Sequence, residues 1–307
     1  MAKQQETEQT SSSNKTLMAI GIGSTVIGLA AVGGVTYSIA KQEETASDVS
    51  QLTQSVNAMV EMQKNQADPG EAAKAAVQEH FAAKNNEKRQ ALMASAENAQ
   101  NEGVPEDKHL YGNPDARFTI VEFADYECVY CQRFHETPKQ IVDGSGGNVS
   151  WEFLHFPLDM HNPMAMKEAV AAECVAEELG NKAFWAFSNE AYATTGGNGS
   201  GVPDLSGTVE ALGMSPSDLQ ECMSNPEMRQ RVQDDLQKGA SAGVTGTPSS
   251  YIVDNVTGNL VSISGAQPMQ SVMQKLRGLV DQGREGGEAG AESAAAADHG
   301  MNAEGES

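Results

Sequence analysis

The sequence predicts an α/β fold built around a dithiol, interrupted by a block of helices and preceded by one transmembrane helix and a helical stalk. Three observations carry this. Residues 118–131, Phe-Thr-Ile-Val-Glu-Phe-Ala-Asp-Tyr-Glu-Cys-Val-Tyr-Cys, read as a short β-forming run, a break, and a Cys-x-x-Cys that opens a helix. Residues 163–240 read as successive helices where an alternating plan would return to strands. Leu17 to Ala40 runs 24 residues without a charge.

Taken in order, residues 1–16 form a polar tail without periodicity. At ~1.5 Å per residue, a helix over residues 17–40 crosses a bilayer core of roughly 30 Å. Ser38-Ile39-Ala40 looks like a small-x-small cleavage site, but the apolar part of a signal peptide is about 7–15 residues long. A retained anchor is therefore expected. Ser24-x-x-x-Gly28 and Ala30-x-x-x-Gly34 have the spacing that lets two such helices pack closely. Flanking charges encode orientation poorly. Four cysteines, an even number, beside a dithiol suit an oxidising compartment, which places the N-terminus in the cytoplasm and residues 41–307 outside it.

Residues 41–105 are expected to be a helical stalk or linker. Val49, Leu52, Val56 and Met59 follow a/d spacing for two heptads, and residues 71–100 are rich in strong helix formers. Such a segment either self-associates or simply holds the following domain away from the membrane. Gly103 to Pro114 marks a boundary, and Phe118 to Ala124 reads as a buried strand. Within it, Glu122 requires a partner or a raised pKa, because an unpaired buried carboxylate costs several kcal/mol.

Cys128 falls at the first turn of the following helix, where backbone N–H groups and the dipole favour thiolate. Cys131 lies one turn further in, placed to attack a mixed disulfide on Cys128. Half a zinc site is the other reading of Cys-x-x-Cys. It needs two further ligands at similar spacing, and Cys174 and Cys222 stand alone. No metal or organic cofactor is expected. His135, one turn past Cys131, reads as an exposed helix histidine. His155, in a second strand at residues 149–156, reads as a structural hydrogen-bonding residue. Ser215-Pro216 and Asn225-Pro226 are helix starts, a hairpin surrounds residues 254–258, and Met269, Val272, Leu276 and Leu279 form the inward face of a last helix. Residues 283–307 have almost no apolar bulk and should form a disordered acidic tail.

The stretch from Tyr111 through Cys131 resembles the DsbA-like branch of the thioredoxin superfamily. Gly243-Val-Thr-Gly-Thr-Pro-Ser-Ser-Tyr-Ile-Val-Asp resembles that family's segment in which Thr247 precedes a cis-proline, Pro248. The resemblance covers residues 106–282. It implies a thioredoxin fold with a helical insert at about residues 160–240, and thiol–disulfide exchange on cysteine-containing protein substrates. It also implies a membrane or soluble redox partner that resets the dithiol. Glu122, six residues before Cys128, stands where the family has a buried acid that moves protons to and from the inner cysteine. Thr247 and Pro248 would present backbone to the substrate chain. Cys174 and Cys222 are either two buried thiols or a structural disulfide. The compartment, and the second bridge of some family members, favour the disulfide.

The net charge of −22 argues against a nucleic-acid partner, since phosphate contacts need clustered Lys and Arg. Three functions compete: an extracytoplasmic disulfide oxidase; an isomerase or reductase with an oligomerising stalk; and a non-enzymatic anchored binding module of an envelope complex. Val129 and Tyr130 supply no cation between the cysteines and Glu127 adds a negative charge, so Cys128 should be acidic but less so than the ~3.5 of DsbA. N-terminal sequencing of membrane-fraction protein should return Met1 or Ala2. A mature start at Lys41 would make residues 17–40 a cleaved signal.

Overall fold

The computed structural model describes residues 48–61 and 69–283. The tail 1–16, the expected span 17–40 and the tail beyond 283 lie outside those residues. Among the described residues no helix is long and apolar enough to cross a membrane. The chain divides into two compact units between Val77 and Gln78. In the first, residues 48–61 form helix α1, and helix α2 (Pro69–Ser95) begins. Along α1, Val49, Leu52, Val56 and Val60 are exposed at the three- and four-residue spacing that puts them on one face.

The second unit is the α/β body. Its strands are β1 (His109–Gly112), β2 (Phe118–Ala124), β3 (Val149–His155), β4 (Ser249–Asp254) and β5 (Leu260–Ser264). They form one mixed sheet in the order β1-β3-β2-β4-β5, with β2 and β3 parallel and the other neighbours antiparallel. β2 is the central strand and is covered on both faces, which is why it reads as a continuous apolar run. Its register sets Ile120 beside Trp151 and Ile252, and Glu122 beside Phe153 and Ser250. Strand alternation therefore turns Glu122 to the same face as Phe118, Ile120 and Ala124, which belong to the main core. Phe123 faces the other way, into a small second cluster with Leu154 and Val244.

Between β2 and β3 run α3 (Val129–Phe134) and α4 (Glu136–Gly144). Between β3 and β4 lies the expected insert: α5 (Met164–Leu179), α6 (Asn181–Thr194), α7 (Leu205–Leu212), α8 (Pro216–Ser224) and α9 (Pro226–Ser241). Asp204, Ser215 and Asn225 cap α7, α8 and α9 through their side chains, and proline opens the last two. α9 returns to the sheet so closely that a Cβ on Gly239 would lie 2.7 Å from the Phe156 ring. Helix α10 (residues 269–283) closes the body through Val272, Leu276 and Leu279. Met269 is 37% exposed and does not join that face, because it stands in the helix's first turn.

The packed core reaches back beyond residue 106. Leu92, Ala96 and Ala99 are buried, and Ala99 bridges to Tyr111 at the edge of the sheet. The sparse apolar residues at the end of the expected stalk are thus part of the body. Cys174 of α5 and Cys222 of α8 form a disulfide across a separation of 48 residues. Closing a loop of that length stabilises the fold by about 4 kcal/mol in the chain-entropy model. Replacing both with alanine should lower the unfolding free energy by up to about that amount in equilibrium denaturation. An unchanged midpoint would show that the bridge adds no stability.

Candidate active site

Asp125 builds the turn that carries the dithiol. Its Oδ1 accepts from the Glu127 N–H at 2.8 Å, an Asx turn, while Oδ2 accepts from the Leu158 N–H at 3.0 Å and meets His161 Nδ1 at 2.6 Å. Burial, the largest influence, raises the Asp125 pKa against these donors. The chain then enters α3 with Cys128 as the N-cap in extended conformation (φ −82°, ψ 114°). Cys131 is one turn in, with no exposure.

The two sulfurs are driven apart in acidity. The Cys131 thiol donates to Cys128, the largest influence on it, and with the Thr247 hydroxyl and the Cys131 and Tyr130 N–H groups it lowers the Cys128 pKa to about 5 against partial burial. Cys131, fully buried and beside that thiolate, is pushed well above the ordinary thiol value. The Thr247–Pro248 peptide bond is cis, and the Thr247 carbonyl lies 3.4 Å from Cys128 Sγ. That carbonyl accepts only from the protonated thiol. The Thr247 hydroxyl has no other protein partner and is free to donate to the thiolate.

Behind Cys131, Glu122 is 1% exposed. Burial pushes its pKa up to about 8, opposed by the Trp151 indole and, less strongly, reinforced by charge on Cys128. Tyr192 of α6 closes the same chamber; burial first, then charge on Cys131 and Glu122, pushes its pKa well up. His135 was expected to be exposed, but it is buried, because α3 is only six residues long and turns directly into α4 under the insert. Its Nε2 meets Asn189 Oδ1 at 2.7 Å, and burial lowers its pKa to about 4.

Cys128 is itself buried, with only 4% of the residue exposed. The glycine-rich loop after α6 covers its surroundings, and at Gly197 (φ +69°) an added Cβ would stand 2.7 Å from Val129 Cγ1. Glu127 does not act as a negative charge set beside the sulfur. Its carboxylate accepts from the Thr195 hydroxyl and from Gly201 N–H at 3.0 Å, and its carbonyl accepts from Asn198 N–H at 2.7 Å. It fastens that loop instead. Asp125, Tyr192 and the Glu127 clasp went unread in the sequence, since their partners lie 33 to 74 positions away. Among the described residues no third cysteine, histidine or carboxylate is grouped with the dithiol for a metal.

Two cysteines of opposite acidity, at the head of a helix that follows the central strand of this sheet, define a DsbA-like thiol–disulfide oxidoreductase. A family model described as thioredoxin matches residues 104–268, more than half of the chain, and the chain belongs to that family. DsbA2 of Pseudomonas aeruginosa is 32% identical, with a TM-score of 0.51 over 58% of this chain and 97% of that one. A variant of alpha-DsbA1 from Wolbachia pipientis is 19% identical, with a TM-score of 0.49 over 59% of this chain and 96% of that one. The Na(+)/H(+) antiporter NhaA 1 of Mycolicibacterium gilvum is 27% identical over 150 residues, 48% of this chain but 24% of that protein. The chain thus spans about a quarter of the length of the curated relatives it matches.

The two pKa shifts act oppositely on stability. Cys128 ionises at about 5 when folded, well below an ordinary cysteine thiol, so the reduced fold gains stability as pH rises from there toward the ordinary thiol range and loses it as pH falls through 5. Glu122, raised from 4.5 to about 8, costs stability as pH rises across its own window. Thiolate absorbance of the reduced protein should titrate near pH 5, and Cys131→Ala should raise that midpoint. Glu122→Gln should stabilise the protein at pH 8 by roughly 2–4 kcal/mol and leave it nearly unchanged at pH 4. Equal effects at both pH values would remove the assignment.

Proposed function

We propose that the protein forms disulfides in cysteine-containing protein substrates outside the cytoplasm, using Cys128 as nucleophile and Cys131 as resolving cysteine. The observation that carries this is the stabilised Cys128 thiolate. A sulfur that is comfortable as an anion is a good leaving group and makes its disulfide oxidising. In the oxidised protein, a substrate thiolate attacks Cys128 Sγ. The Cys128–Cys131 bond breaks, and Cys131 leaves and takes a proton. Glu122, still protonated near neutral pH, is the group that supplies it. The substrate's second thiolate then attacks its own sulfur in the mixed disulfide, and Cys128 departs as thiolate. Thr247 and Pro248, against the sulfur, offer backbone for strand-like pairing with a chain of any sequence. A redox partner must reoxidise the dithiol. The Cys174–Cys222 bridge fits an oxidising compartment, and residues 17–40 would tether the protein there.

A second reading, isomerase or reductase, is favoured by the exposed apolar row on α1, which a second copy of the stalk would cover. Refolding of reduced against scrambled substrate separates the two. Glutathione equilibration should place the potential between about −120 and about −270 mV, the values for DsbA and thioredoxin. Cys131→Ser should accumulate DTT-sensitive adducts on Cys128, and Cys128→Ser should abolish exchange. Adducts in Cys128→Ser alone would reverse the roles.

A further inference from the structure

A second buried constellation shares no residue with the dithiol. His109 from β1, His155 from β3 and Glu173 from α5 bring one ligand atom each to within 4.8 Å of one another, and all three residues are buried. His109 Nε2 lies 2.7 Å from Glu173 Oε1. His155 Nε2 lies 3.1 Å from the same oxygen without making an aligned hydrogen bond, so a nitrogen on a side chain 1% exposed faces the shared carboxylate oxygen. The rings are held in place: His109 stacks on Phe184 with centroids 3.7 Å apart, and His155 packs edge-on against Phe153.

We propose that His109, His155 and Glu173 form a binding site for one divalent transition-metal ion, Zn2+ fitting best, that ties the helical insert to the sheet. Two imidazole nitrogens and one carboxylate oxygen are the donors such ions prefer, and they disfavour Ca2+ and Mg2+. Three protein ligands leave one tetrahedral position for water. Ligand atoms on a tetrahedral Zn2+ stand about 3.3 Å apart, so the present 2.7 and 3.1 Å open by a few tenths of an ångström on loading, and the two imidazole nitrogens, within 4.8 Å of each other, adjust to the same spacing. A cleft of about 490 Å³ reaches His109 from solvent, with Glu106, Glu177 and Glu227 in its wall. Arg231 is the opposing charge, 3.8 Å from Glu173 Oε2. It is drawn outward by Glu177 at 2.8 Å and Glu227 at 3.3 Å. Positions 109, 155 and 173 have no motif spacing; the β1–β3 pairing, and the packing of α5 on α6 and α9, which themselves lie against β1 and β3, bring them together.

The test uses the full-length protein in detergent, untagged, with Cys128→Ser and Cys131→Ser, because thiolates would compete for metal. Titration with Co2+ should develop visible d–d bands at one ion per chain, and Zn2+ should displace it and raise the melting temperature. Glu173→Gln and His155→Gln should each weaken binding by about 100-fold or more. His109→Gln provides a third readout that keeps a neutral hydrogen-bonding partner for Glu173 if either of the others fails to fold. Absence of stoichiometric Co2+ and Zn2+ binding by the folded parent overturns the proposal, as does binding of equal strength in a folded variant. The first result would leave the trio as an imidazole–carboxylate bridge between sheet and insert.

Discussion

Charge is tolerated on Cys128 and excluded one turn further in. The helix N–H groups, the Cys131 thiol and the Thr247 hydroxyl all point donors at the outer sulfur, while Cys131 and Glu122 lie in dry core. Each side of that contrast requires the other. The Cys131 thiol can donate to Cys128 only while it keeps its proton, and it keeps its proton because burial makes its own thiolate costly. Glu122 is raised by the same burial and by the charge it faces. The central position of β2, covered on both faces, is what makes this possible.

The helical insert completes the arrangement rather than decorating it. Tyr192 of α6 reaches the chamber behind Cys131, Asn189 of the same helix meets His135, and the loop after α6 lies over Val129. Glu127 holds that loop by side chain and backbone, so an acid beside Cys128 becomes a fastener. A buried acid used this way needs several donors, and the glycine-rich segment supplies backbone N–H groups at angles that side-chain-bearing residues would resist. On the far side, Asp235 of α9 accepts from the His155 N–H at 3.0 Å, and the Cys174–Cys222 bridge links α5 to α8. The insert is therefore pinned to the sheet at both ends and cross-linked within.

The sequence by itself determined whatever depends on neighbours in the chain. The strand before the dithiol, the placing of Cys128 at the helix head with Cys131 one turn in, the caps of α8 and α9, and the acid at Glu122 all follow from local spacing and alternation. Thr247 and Pro248 were legible because a short segment carries them intact. Tertiary structure alone decided the burial of His135, the partners of Asp125 and Glu127, the covered state of Cys128, and the meeting of His109, His155 and Glu173. Those outcomes depend on groups up to 80 residues apart, brought together by strand order and by the return of the insert. Local propensity carries no information about which distant donor will reach a buried carboxylate. Such a group must find whichever partner packing puts beside it, since leaving it unpaired in the core costs more than the interaction itself contributes.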